Sequence, residues 1–218
     1  MKKNAKRLLH FQNNCYLCHQ TIKNLSVIRI TRKTFVLITI FLALTNSVKA
    51  QNVYNVMSYG AKGNGVKDDA PAIQKAIDKC EQNGGGTVLF PSNHIFISGP
   101  LQLKSNVELH LEATATLKAN PNKAIYKISA FGKNEGEGML WIWAKNADNI
   151  SITGKGCIHG NGINFMGKEL DDSYELKPVT TFDPRPHVLS LTDVRNLTIK
   201  DITIREGAYW TVHLIGCN

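Results

Sequence analysis

Several groups of residues in this 218-residue chain have the types and spacing to do chemistry. Cys15-Tyr16-Leu17-Cys18-His19 has the pattern of c-type haem attachment. Asp68-Asp69 is a carboxylate pair of the kind used for acid–base work. It follows Gly60-Ala61-Lys62-Gly63-Asn64-Gly65, a glycine-rich stretch that invites comparison with phosphate-cradling loops. Asp193, Asp201 and Glu206 are the carboxylates nearest the last residue. Trp143, Ser190, Trp210 and His213 bring aromatic plates, a hydroxyl and an imidazole to strand-like stretches.

Context removes most of these. The glycine stretch lacks the Gly-Lys-Ser/Thr ending of a phosphate loop and is read as a tight turn. Asp69 is placed to cap a helix, with Pro71 in the first turn, which accounts for the carboxylate without catalysis. The haem pattern lies ahead of an export signal, is followed by no haem-sized domain and would be removed with the leader. It is read as a translated upstream stretch, with initiation nearer Leu25 or Val27. No cofactor and no metal site is expected, and no catalytic residue is assigned within the chain.

The first 50 residues are a different material from the rest. They carry nine Lys or Arg and no Asp or Glu. Of the chain's 26 basic residues, 17 remain beyond Ala50, against 17 acidic ones, so the formal +9 belongs to the leader. The charge therefore gives no reason to expect a nucleic-acid partner. Arg29, Arg32 and Lys33 form a basic n-region, residues 35–44 an apolar h-region, and Val48-Lys49-Ala50 a small-residue cleavage site. The apolar run is shorter than the roughly 20 residues of a relaxed membrane span. The leader is expected to direct export to the periplasm, the cell surface or the medium, with cleavage after Ala50 and no stable membrane span afterwards. An uncleaved anchor is the rival. Residues 51–218 keep three cysteines, Cys80, Cys157 and Cys217, too few and too scattered for a disulfide framework.

The elements that must position the chemistry are strands. Residues 188–191, 197–204 and 211–215 are β-branched runs that alternate apolar and polar positions. At a shift of 23, Leu189 falls on Val212, Leu191 on Leu214 and Val194 on Cys217; at 47, about twice that period, Ile142 falls on Leu189, Ala144 on Leu191 and Ala147 on Val194. A period in the twenties with short strands is a β-solenoid signature, because one coil cannot bury its inward row alone. Further strands are expected near 53–57, 87–90, 94–97, 101–103, 107–111, 116–118, 139–144, 150–153 and 157–159. Ile73, Ala76, Ile77 and Cys80 mark one face of a helix ending near Glu81, suited to covering the apolar end of the first coil. Asn106, Asn149 and Asn196 each precede a strand and fit a stacked turn, so the sequons at Asn149 and Asn196 are read as incidental. Residues 119–138 and 160–185 are expected as excursions, the second acidic at Glu169, Asp171 and Asp172. The fold expected is all-β: a parallel β-helix over 51–218 entered by one capping helix.

At this point the sequence resembles a known family. Tyr59-Gly60-Ala61-Lys62-Gly63-Asn64-Gly65 with Asp68-Asp69, then Ala72-Ile73-Gln74-Lys75-Ala76-Ile77, resembles the entry of pectin-degrading right-handed parallel β-helices. Gly84-Gly85-Gly86-Thr87-Val88, Leu103-Lys104-Ser105-Asn106-Val107, Ile152-Thr153-Gly154-Lys155-Gly156, Arg185-Pro186 and residues 209–217, Tyr-Trp-Thr-Val-His-Leu-Ile-Gly-Cys, continue the match. Together they resemble glycoside hydrolase family 28, the polygalacturonases and their relatives. His159 stands where that family usually has Asp. The resemblance implies inverting acid–base hydrolysis of a pectic polysaccharide by a monomer. It also implies that the carboxylates lie in Asn-x-Asp, Asp-Asp, Gly-His-Gly and Arg-x-Lys motifs that follow residues 209–217 and are not met before Asn218. Asp193, Asp201 and Glu206 do not match them. The chain is accordingly expected to be the N-terminal part of a longer enzyme. A non-catalytic carbohydrate-binding β-helix, or another polysaccharide-acting one such as a lyase or tailspike, is the alternative.

Alternation makes Ile142, Leu189 and Val212 inward, with Ala144, Leu191 and Leu214, so that Trp143, Ser190 and His213 form an outward ladder on adjacent coils about 4.8 Å apart. Trp141, Val188 and Thr211 are expected as the neighbouring outward row, and Trp210 at the strand's entry. By the resemblance this face borders the saccharide cleft, with Trp143 as a plate for a sugar ring and His213 as a donor. Purified chain is expected to release no reducing sugar from polygalacturonate or rhamnogalacturonan, since a general acid or base each contributes on the order of 10²–10⁴-fold; detectable release would overturn that expectation.

Overall fold

In a computed structural model, residues 52–131, 137–166 and 184–218 are described. The leader, its haem pattern, the cleavage site and the acidic stretch at 169–172 lie outside these residues. Fourteen strands are found among them, wound around three sheets. They are β1 (Val53–Asn55), β2 (Asn64–Asp68), β3 (Gly86–Phe90), β4 (Ile95–Ser98), β5 (Leu101–Gln102), β6 (Val107–Leu111) and β7 (Thr116–Ala119). They continue with β8 (Glu137–Asp148), β9 (Ser151–Gly154), β10 (Cys157–His159), β11 (Arg185–Arg195), β12 (Thr198–Lys200), β13 (Thr203–Arg205) and β14 (Val212–Ile215). One sheet runs β1-β3-β6-β9-β12, the second β13-β10-β7-β4-β2, the third β14-β11-β8-β5. Every paired strand is parallel to its neighbour, as in a parallel β-helix whose coils each contribute one strand to each sheet.

The 23-residue shift is a true coil: Leu189 pairs with Val212 and Leu191 with Leu214. The shift of 47 is also one coil and not two, because Ile142 pairs directly with Leu189 and Ala144 with Leu191. The extra length is the excursion between β10 and β11. A sequence repeat measures chain length, whereas stacking depends only on which strands meet. The run at 197–204 is likewise not one strand. Asp201 adopts a left-handed φ of 60° and turns the corner between β12 and β13.

The core is the stack of inward rows. Val88, Leu109 and Ile152 are fully buried in the first sheet, Phe96, Leu117 and Ile158 in the second, and Leu101, Ile142 and Leu189 in the third. The rows end at β14, where Val212 is 42% and Leu214 44% exposed although their register partners Leu189 and Leu191 are buried. The other end is covered by helix α1 (Ala70–Gln82), which buries Ile73, Ala76, Ile77 and Cys80 as their spacing predicts. Gln74 does more than cover. Its amide donates to the Gln102 carbonyl at 3.0 Å and accepts from the Gln102 N–H at 2.9 Å, so a side chain stands in for the missing strand beside β5.

The helix start differs from expectation. Asp69 occupies the N-cap position, but its carboxylate makes no bond to the helix. It accepts from the N–H groups of Lys62 at 2.7 Å and Gly63 at 2.9 Å and pins the glycine turn. Capping falls to Asp68, which accepts from the Ala70 N–H at 2.9 Å and from Asn120 at 3.0 Å. Both carboxylates are structural. No disulfide is formed by the three cysteines: Cys80 is buried, while Cys157 and Cys217 are half-buried.

The stacked asparagines are present. Asn106, Asn149 and Asn196 all have left-handed φ, the conformation that Asn tolerates better than most residues. The Asn149 amide donates to Asn106 Oδ1 at 2.7 Å and the Asn196 amide to Asn149 Oδ1 at 2.9 Å. Asn218 extends the ladder, its Oδ1 accepting from the Asn196 N–H at 3.1 Å. The amide nitrogens of both sequons are thus occupied as ladder donors. Asn149→Ala should destabilise the chain by about 1–3 kcal/mol, from two lost side-chain bonds and the strain of Ala at positive φ. Asn149→Gly should cost less, because it removes the strain; equilibrium denaturation that ranked the two in the opposite order would refute this account.

Candidate functional site

The third sheet positions three of the four residues singled out for binding; Trp210 lies just before β14. β5, β8, β11 and β14 bring Gln102, Trp143, Ser190 and His213 into one register row. The row is formed as alternation predicts, but it is not uniformly open. Trp143 is half-buried, Ser190 is 3% exposed and His213 9% exposed. Trp141 and Val188, expected on an outward row, are fully buried. Trp141 donates its indole N–H to Ser98 Oγ at 3.1 Å and belongs to the core. From Arg185 to Leu191 the start of β11 is buried without a break, so strict alternation does not describe exposure there. Other parts of the coils lie over these positions, as Gly160 and Gly207 do over Val188, and a two-residue period cannot register such cover.

The described residues that converge at the N-terminal ends of β8, β11 and β14 are mostly aromatic. Trp210, 48% exposed, stands edge-on to His213 at 4.5 Å between ring centroids and lies parallel to Tyr209 at 5.7 Å. His213 stacks on His187 at 4.6 Å with planes 25° apart. Arg185 places its guanidinium 5.1 Å from the centre of the Tyr209 ring, in cation–π range. Phe131 completes the group, within 5.7 Å of His187 and 6.1 Å of Trp210 and His213.

Burial dominates the electrostatics. His187 is fully buried, and its pKa is pushed down to about 4 by loss of solvent, helped by the neighbouring His213 and opposed by the backbone of Trp210. Among the described residues neither of its ring nitrogens has a hydrogen bond of good geometry, nor does His213 Nδ1. Burial also lowers the His213 pKa. The pair is therefore neutral at pH 7, an aromatic surface whose nitrogen atoms include three with no well-aligned partner among the described residues. A surface of this kind suits a sugar ring, which offers C–H faces to aromatic plates and hydroxyls to neutral imidazoles.

The carboxylates near the end of the chain serve corners. Asp193, Asp201 and Glu206 all have left-handed φ, at 52°, 60° and 54°. Glu206 is held by Arg205 at 3.0 Å and faces His159 Nε2 at 3.3 Å. His159 Nδ1 accepts the Asn161 N–H at 3.0 Å, so the ring's proton sits on Nε2, toward Glu206. Burial outweighs Glu206 and leaves the His159 pKa lowered. Among the described residues no group of three or more His, Cys, Asp or Glu is arranged to hold a metal ion.

Of the expected residues, Ser190 and His213 share the row with Trp143, and Trp210 joins through His213. Sequence reasoning missed His187, Tyr209 and Phe131. Tyr209 adjoins Trp210 and His187 lies three residues before Ser190, so strand placement made both available. Phe131 sits in an excursion and carried no periodic signal.

The fold is a parallel β-helix, and the proteins this chain is similar to include polysaccharide-acting ones. The chain belongs to the rhamnogalacturonase A/epimerase, pectate lyase-like family, whose model matches residues 53–173. It is 37% identical over 129 residues to an exo-poly-alpha-D-galacturonosidase of Dickeya chrysanthemi, covering 54% of this chain and 21% of that protein. It is 30% identical over 181 residues to a mannuronan C5-epimerase of Azotobacter vinelandii, covering 71% of this chain and 12% of the other. The structure of a hyperthermoactive exopolygalacturonase from Thermotoga maritima superposes with a TM-score of 0.62 at 22% identity, over 76% of this chain and 44% of that one, and shows the fold, a right-handed parallel β-helix. The chain thus spans about a fifth or less of the length of these two curated relatives.

An unfolded imidazole takes a proton near pH 6.5 and the folded His187 only near pH 4. Between these values the unfolded state binds more protons, so the stability that neutral His187 contributes is complete above pH 6.5 and is lost as pH falls toward 4. The loss should be on the order of 3 kcal/mol. Denaturation at pH 7 and pH 4.5 should show it in the wild type and much less in His187→Gln; equal pH slopes in the two proteins would contradict the assignment.

Proposed function

We propose that this protein is an exported, polygalacturonase-like glycoside hydrolase of pectic polysaccharides and that the third sheet of residues 51–218 forms part of its saccharide cleft. The observation that carries the reading is the row of Trp143, Ser190 and His213 on adjacent coils, with Trp210 half-exposed beside His213. Trp210 supplies the plate for a sugar ring, and His213, Ser190 and Trp143 line the track on which neighbouring sugars lie. Family membership and the identity to an exo-poly-alpha-D-galacturonosidase support the hydrolytic reading and the pectic substrate.

The reaction envisaged is inverting hydrolysis. A carboxylic acid protonates the leaving oxygen, and a carboxylate about 6.5–9.5 Å away activates water on the opposite face of the ring. No residue of this chain is assigned either role: Asp68 and Asp69 are bound up in the helix entry, and Glu206 is tied to Arg205 and His159. What this chain contributes is binding and orientation. The leader is proposed to direct export with cleavage after Ala50, and the protein to act as a monomer.

Trp210→Ala and His213→Ala should each weaken binding of trigalacturonate by about 3- to 10-fold, the scale of one aromatic contact or one hydrogen bond. Isothermal titration of the full chain measures this directly. Unchanged affinity in both variants, with thermal stability unchanged, would remove the face from the site.

A further inference from the structure

Phe131 is oddly placed for an exposed residue. It is 47% exposed, yet its ring touches four other rings, those of His187, Tyr209, Trp210 and His213. The backbone that carries it is firmly held. Leu140 donates to the Ile128 carbonyl at 2.8 Å and Ala130 to the Gly138 carbonyl at 2.9 Å, so residues 128–130 lie antiparallel against the start of β8. Room for the ring is made by Gly138, where a side-chain carbon would collide with Phe131 and come 2.9 Å from His187 Nε2. The ring thus sits in a prepared seat on top of the histidine pair.

The seat is poorly matched to what occupies it. Among the described residues no well-aligned hydrogen-bond partner is found for His187 Nδ1 and Nε2 or His213 Nδ1, which are buried there, and a phenyl ring can give them none. Leaving such atoms unsatisfied is unfavourable, and native structures seldom do so without a reason. A pyranose ring has the same size and an apolar face for Trp210 and Tyr209, but also hydroxyls that donate to or accept from imidazole.

We propose that Phe131 is a plug: its ring occupies the seat that one pyranose ring of the pectic chain takes when it binds, and it rotates out about its own side-chain bonds to admit the sugar. This rests on the cleft assignment made above. Because residues 128–130 are bridged to β8, the exchange needs only the Phe131 side chain to move. Tyr209 and Trp210 wall the seat, the neutral histidines floor it, and Arg185, held over Tyr209, brings a charged group to its edge.

The test is isothermal titration of the full chain with trigalacturonate, comparing wild type, Phe131→Ala and Phe131→Leu. Removing a competing ring should tighten binding in Phe131→Ala by about 3- to 10-fold, the converse of losing one aromatic contact. Phe131→Leu, which keeps the seat filled, should bind within about twofold of wild type by the same argument. An NMR titration supplies a readout independent of affinity: once water reaches the seat, the His187 pKa should rise from about 4 toward the ordinary imidazole value. Phe131→Ala binding no better than wild type overturns the plug, while a wild type that binds and is weakened by Trp210→Ala leaves the cleft standing. Failure of wild type and Phe131→Ala alike to bind overturns both.

Discussion

Stacking of one coil on the next is the constraint on which everything else depends. A single coil exposes an apolar inward row and unpaired backbone groups along both edges. Lateral pairing satisfies the edges, and like residues over like residues close the core. Among the described residues no strand stands beyond the first coil, and α1 takes that place together with the Gln74 amide, which makes to Gln102 the two bonds a strand would make. The corners obey the same constraint. Each asparagine in the ladder bonds the one below it, so a turn residue is fixed by its neighbour in space and not only by its neighbours in sequence.

Register has a functional consequence. Once Leu189 is held between Ile142 and Val212, Ser190 must lie between Trp143 and His213. The spacing of groups along the proposed saccharide track is then a property of backbone pairing and is insensitive to loop length. An excursion can be added to a coil without disturbing the row, as the 47-residue coil shows beside the 23-residue one. Excursions instead decide access. Phe131 arrives from one of them and sits on the row's end without belonging to it.

His187 shows the chemistry that such cover creates. On an open strand face an imidazole would titrate near its ordinary value. Beneath Phe131 and against His213 it stays neutral to about pH 4, and its nitrogens have no well-aligned hydrogen-bond partner among the described residues. His159 is lowered for the same physical reason even with Glu206 at 3.3 Å, because desolvation outweighs one partly exposed carboxylate. Neutral imidazoles on an aromatic surface offer contact and hydroxyl pairing and carry no charge.

Much of this was determined by the sequence itself. The inward rows, the faces of α1, the stacked asparagines and the alignment of Trp143, Ser190 and His213 all follow from local period and spacing, because a solenoid's long-range contacts repeat its short-range pattern. Tertiary structure decided what has no period. It showed that 47 residues make one coil, that Asp69 pins a glycine turn while Asp68 caps the helix, and that Asp201 breaks a run into two strands. It buried Trp141 and Val188 where alternation alone points outward, and it left Val212 and Leu214 uncovered where alternation points inward. Alternation fixes the side of the sheet on which a residue lies. Whether that side is covered depends on coils and excursions elsewhere in the chain, which is why Phe131 and His187 became visible only when the strands were brought together.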